Sequence, residues 1–259
     1  VTGAVTDSML GTGISANLYF QFIDDTGKVY FDSTITDSIS GAFAGYLIDS
    51  LYRLVIRTEI PYPDVSFDTV CVSPDSVSAV DIKLLPAEIL IVNRDNLARY
   101  ANYYTAPLDT LGVSYKVWAP IEQGIFPLSR IVVFANKIGI WYTGRTMVGN
   151  VTGQEQDSLI AFLCSGGRLL ITGQNIGEEL SGTILFDDYL HAILINDSIN
   201  ASKCFPDISD TLGSGMKKLF TIGGAQNQFS RDAISADSVA NLFLFYDSSL
   251  TIGAGVWYD

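Results

Sequence analysis

Over residues 1–86 the apolar positions recur mostly at every second residue, in short runs separated by turn-forming residues. Val1–Thr6, Ile14–Ile23, Val29–Thr36, Phe43–Ile48, Tyr52–Thr58, Phe67–Val72 and Ser78–Leu84 each carry a pattern that suits a strand. Asp24-Asp25-Thr26-Gly27 supplies the residues a hairpin turn needs. About seven strands, with turn signals roughly every 8–12 residues, predict a β-sandwich. One strand is apolar on both faces: Leu18, Phe20 and Phe22 point one way, Tyr19, Gln21 and Ile23 the other. Such a strand needs cover on both sides, from another domain or from a neighbouring subunit.

From Ala87 the rhythm changes to alternating strand and helix. Glu88–Val92, Tyr115–Trp118, Ile138–Tyr142 and Leu169–Thr172 read as strands. Ala98–Leu111 has helical spacing through Tyr100, Tyr104, Leu108 and Leu111, with Pro107 as an early stop or kink and Gly112 as the latest stop. Leu128–Phe134 is a short helix or turn. Thr152 and Glu155 have capping-box spacing, opening a helix that runs to Cys164 and ends at Ser165-Gly166-Gly167. A further helix is expected over Ile184–Leu194, then a loop-rich tail from Ser198 with strands at Leu219–Ile222, Leu242–Tyr246 and Ala254–Tyr258. This alternation predicts a mainly parallel, doubly wound α/β sheet of flavodoxin type. The boundary is expected at Pro86, giving domains over 1–86 and 87–259.

Charge narrows the partners. The chain carries 28 acids against 15 bases, so a nucleic-acid phosphate backbone would be repelled. With 48% hydrophobic and only 17% charged residues, part of the surface is expected to lie against a partner. No run approaches the roughly 18 apolar residues of a membrane span. Val1 opens directly into a strand pattern, so a leader is expected to have been removed and the protein to sit outside the cell or on its surface. Cys71, Cys164 and Cys204 form no CxxC pair and there is a single histidine, which gives no zinc site. Cys164–Cys204 is the preferred pair if a disulfide forms; three free thiols fit equally well.

Two resemblances follow from particular residues. Val1-Thr2-Gly3-Ala4-Val5-Thr6-Asp7, Gly13-Ile14-Ser15-Ala16 and Tyr52-Arg53-Leu54-Val55-Ile56 resemble the carboxypeptidase-regulatory-like, transthyretin-like sandwich, whose members are accessory modules of secreted or surface proteins. Ile89–Asp95, Tyr103-Tyr104, Tyr115–Trp118, Ile140–Gly144 and Gly166–Ile176 resemble a glutamine-amidotransferase-like α/β domain that accompanies secreted bacterial peptidases and surface proteins. The active branch of that family puts a cysteine on the turn after the strand matched by Leu169–Thr172. This chain has Gln174 there, so the resemblance implies a pseudo-enzyme with no catalytic residue.

The remaining chemistry is sparse. Thr143, Gly144, Gln174 and Asn175 surround the crevice expected beyond the strand ends, where amides suit a neutral polar ligand such as a sugar or peptide. His191 is expected mid-helix, three residues beyond Asp188, but no nucleophile stands on an elbow to serve it. Glu178-Glu179 suit a helix N-terminus, and Asp24-Asp25 and Asp187-Asp188 suit turns and caps better than calcium. Ile222-Gly223-Gly224-Ala225 lacks the Lys-Ser/Thr of a phosphate cradle. Asn150, Asn196 and Asn200 open glycan acceptor triplets. The clustered tyrosines and tryptophans offer a sugar platform or, as core, ordinary packing. No cofactor or metal is expected. Three functions remain: a self-associating extracellular structural protein or filament subunit, or one contacting other surface proteins; a carbohydrate- or peptide-binding accessory module of a secreted peptidase; and a hydrolase using His191.

Overall fold

The computed structural model describes residues 1–24, 26–48, 50–73, 79–95, 100–124, 137–220 and 229–259. The expected Leu128–Phe134 element, Asp25 and the Gly223-Gly224 pair lie outside them. The protein is β-rich, with strands in several sheets. Its residues group into two compact units: Val1–Leu90 with Leu108–Val117, and Ile91–Pro107 with 118–124 and Lys137–Asp259.

In the first unit, β1 (Thr2–Asp7), β4 (Ala42–Ala44) and β7 (Ala79–Leu84) form one sheet, in the order β4-β1-β7. β2 (Ala16–Ile23), β3 (Val29–Ile35), β5 (Ser50–Thr58) and β6 (Val65–Val72) form an antiparallel second sheet, in the order β3-β2-β5-β6. Alternation fills one core from both: Val5, Phe43 and Ile82 come from the first sheet, and Leu18, Phe20, Tyr52, Leu54, Ile56 and Val70 from the second. This is consistent with a β-sandwich. Gly41 has φ 69°, and a Cβ there would lie 2.0 Å from the Val5 carbonyl oxygen, so only glycine fits this crossing.

Aspartates build the turns. Asp7 is 3% exposed and accepts hydrogen bonds from the Met9 and Leu10 N–H groups and from the Tyr62 hydroxyl, each at 2.7 Å. Burial pushes its pKa up, but those three donors outweigh burial and hold it below the usual range. Asp24, Asp37, Asp207, Asp210, Asp237 and Asp247 each cap a loop in the same manner, accepting from backbone N–H groups two to five residues onward. All six have lowered pKa values. Turn formation thus employs seven of the chain's 22 aspartates.

A pH dependence follows. A carboxylate whose folded pKa is depressed stabilises the fold above its unfolded pKa, 3.8 for these groups, and loses that contribution as pH falls through the folded value. Asp232 works the other way, because burial raises its pKa. The depressed groups are the more numerous, so the urea midpoint is expected to drop steadily from pH 5 to pH 2, and an unchanged midpoint would contradict it.

β10 (Ile138–Gly144) and β11 (Arg168–Gly173) pair in parallel, with α3 (Gly153–Cys164) as the crossover between them. They continue a sheet in the order β11-β10-β8-β9, where β8 is Ile89–Asn93 and β9 is Tyr115–Trp118. α1 (Ala101–Leu111) passes through Pro107 and stops at Gly112, whose φ is 67°. α3 begins with the expected capping box of Thr152 and Glu155. α2 (Pro120–Gln123) and α4 (Ile176–Leu180) are single turns.

Two expectations are corrected. The helix expected over Ile184–Leu194 is instead a short π-helix, Leu185–Tyr189, followed by β12 (Ala192–Asn196). His191 has φ 51°, which ends the helix, and the β-branched Ile193 and Ile195 suit a strand. The tail has strands where they were expected, beginning at Leu219 and near Leu242–Tyr246 and Ala254–Tyr258, and carries two more that were not. β12 joins β13 (Lys203–Pro206), β14 (Leu219–Phe220), β15 (Ala233–Ala236), β16 (Asn241–Phe245) and β17 (Gly253–Trp257) in a six-stranded sheet, order β12-β15-β17-β16-β13-β14. Its strand pairs are antiparallel.

Candidate functional site

The expected crevice residues come together at the tips of β10 and β11. Tyr142 and Thr143 are fully buried at the end of β10. At Gly144 φ is 55°, and a Cβ there would lie 2.8 Å from atoms of Asp95 and Tyr100. Gly173 lies so close to β10 that a Cβ would meet the Thr143 hydroxyl at 1.7 Å. These two glycines let the tips close, leaving Gln174 and Asn175 to form the turn into α4.

Gln174 is only 2% exposed. Its Nε2 donates to the Arg145 carbonyl at 2.9 Å and contacts the Met147 sulfur at 3.0 Å. Its Oε1 accepts from the Phe229 N–H at 2.6 Å and, more weakly, from the Ser230 N–H at 3.4 Å. One amide thereby joins segments near 145 and 229. Asn175 has φ 58° and precedes α4; its Nδ2 donates to the Met147 carbonyl and contacts Glu178. Asn150 is fully buried, donating its backbone N–H to Glu179 and its Nδ2 to the Gln174 and Asn175 carbonyls. That burial leaves no space for a glycan on Asn150, whereas Asn196 and Asn200 are exposed.

Around this staple some polar groups are paired and others are not. Arg94 forms an ion pair with Glu155, which is fully buried and also accepts the Thr152 N–H at 2.9 Å. Tyr104 stacks on Tyr142 with centroids 4.4 Å apart. Burial first, and the Asp95 carboxylate second, raises the Tyr142 phenol well above its ordinary range. Burial raises Tyr104 too, so both phenols remain protonated at neutral pH. Tyr142 OH, Thr143 Oγ1, Asn150 Oδ1 and Asn175 Oδ1 are buried with no protein hydrogen-bond partner among the described residues.

His191 sits on the turn before β12, and its Nδ1 lies 2.8 Å from Asp237, not Asp188. Its ring packs on Tyr258 at 4.2 Å. The described hydrogen bonds join the imidazole to a carboxylate, not to a serine or thiol. Cys164 is exposed and 3.1 Å from the Tyr189 hydroxyl, whereas Cys204 is buried. No disulfide joins the two. Burial pushes the Cys204 thiol up to about 11, which keeps it protonated and unreactive. Among the described residues no group of acids, histidines and cysteines has the arrangement of a metal site.

Sequence reasoning located the turn but missed the burial of its amide. It read Glu155 as a cap and passed over its partner Arg94; the signal available was that α3 has one acid in its first turn. Gln174→Ala is expected to cost about 1–3 kcal/mol, because the Phe229 N–H and Arg145 carbonyl lose their partner. Chemical denaturation checks this, and a surface-like change below about 0.5 kcal/mol would contradict it. Compared with family models and with curated proteins, the chain matches none.

Proposed function

We propose that this chain is a non-catalytic extracellular structural or interaction protein that self-associates. It joins a carboxypeptidase-regulatory-like sandwich to a degenerate, doubly wound amidotransferase-like α/β domain. The observation that carries the reading is Gln174: at the position where the active family places its nucleophile, this chain has a buried amide that holds two loops together. Exposed apolar side chains give the reading its second support: Phe31, Ile35, Tyr46 and Ile195 are 67%, 68%, 100% and 64% exposed.

The two alternatives have less to stand on. A sugar or peptide in the crevice would compete for the Gln174 amide and the Asn175 Nδ2, which already bond within the fold, and would find, among the described residues, only the Asn175 Oδ1 unengaged on these two side chains. A hydrolase built on His191 needs a nucleophile that the described hydrogen bonds do not bring to the ring. Native material is expected to show mass rising with concentration in light scattering, and connected particles in electron microscopy. A monomer at every concentration, or turnover lost on His191→Gln, contradicts the proposal.

A further inference from the structure

The β3-β2-β5-β6 sheet turns one face into the core and leaves the other open. Strand register places Phe31, Gln21 and Arg53 in one row across that outer face, and Ile35, Asn17 and Arg57 in another. Phe31 and Ile35 are 67% and 68% exposed, with Val29 and Leu51 at 45% and 60% on the same face. Both arginines are exposed. None of the described side chains on the face is acidic, in a chain of net charge −13. β3 also ends the strand order, so one side of its backbone has no strand partner among the described residues. Asp32 is exposed on the opposite face of the same strand, while Val29, Phe31 and Ile35 leave the outer face of this edge apolar and suited to docking with another strand.

The same chain contains the complement. β12 ends the six-stranded sheet, with Ile193 and Ile195 47% and 64% exposed. Asp187 and Asp188 precede it and Asp197 follows, all three exposed. Not one lysine or arginine occurs between Arg168 and Lys203. One surface is therefore apolar and basic, the other apolar and acidic, and both are strand edges.

We propose that the β3 edge and its sheet face on one copy dock against the β12 edge of a second copy. Phe31 and Ile35 then meet Ile193 and Ile195, while Arg53 and Arg57 face the acidic flank. Because the two surfaces differ, the contact is heterologous and each added copy presents a fresh surface of either kind. This rests on the self-association reading above and supplies its contact.

Two variants test it: Phe31→Glu with Arg53→Glu, and Ile195→Lys. All three positions are exposed, and circular dichroism verifies that both proteins fold. In sedimentation velocity the unaltered chain grows with concentration, and each variant alone associates more than about tenfold more weakly. An equimolar mixture of the two forms a dimer and nothing longer, since one intact surface of each kind remains. Lys83→Glu, the same charge change on β7, assembles as the unaltered chain does. If Ile195→Lys still self-associates fully, or the mixture stays monomeric, the pairing is wrong while assembly stands. A monomeric unaltered chain removes both readings. Binding to phosphatidylserine vesicles that is lost in Phe31→Glu/Arg53→Glu would assign the face to a lipid surface and overturn the pairing.

Discussion

Replacing Glu155 with alanine is expected to destabilise the second unit by about 3–5 kcal/mol. The carboxylate is fully buried and paired with Arg94, whose side chain is 16% exposed. Truncation leaves that guanidinium largely desolvated without its counter-charge, and removal of one partner from a buried pair is far costlier than the net value of the pair. The change also strips α3 of its cap, since Glu155 accepts the Thr152 N–H and hydroxyl at 2.9 and 2.7 Å. Glu155→Gln retains an acceptor for the cap but not the charge, so it should fall between alanine and the unaltered protein. Urea unfolding of all three proteins gives the order directly. A loss below about 1 kcal/mol for the alanine variant would mean the pair is dispensable.

The second large effect concerns the β2–β3 hairpin. Phe20→Ala should cost about 3–5 kcal/mol, because the ring is 1% exposed and packs edge-on against Tyr52 at 6.3 Å. Phe22, partly buried and stacked on Tyr30 at 4.8 Å, should cost less. Phe31→Ala should stay within about 0.5 kcal/mol in the monomer. That ranking tests the register, since a one-residue slip of β2 would exchange inner and outer faces. Equal losses for Phe20 and Phe31 would refute the pairing of Gln21 with Phe31.

How far the fold is legible differs between the two parts. Residues 1–84 are readable because the strands alternate between turn formers, and β1 to β7 appear near where the alternation places them, except that the strand expected over Phe43–Ile48 is only Ala42–Ala44. Ile184–Leu194 misleads because Leu185 and Tyr189 imitate helical spacing, and nothing local announces the positive φ of His191. β13 and β15 have four residues each, too short for a period to register, and it is the partner strands that define them. For the candidate site, the glycine-framed turn at Gln174 is visible in the chain. Which way its amide faces is not, because its partners Arg145, Met147 and Phe229 are distant in sequence.

The wedged amide at the tip of β11 has an evolutionary corollary. A thiol or hydroxyl at 174 could not replace both ends of that clamp, so any mutational step towards a nucleophile would first loosen the loops that must shape an active centre. Architecture holds the position: placing a nucleophile at this turn would take compensating changes near 145 and 229.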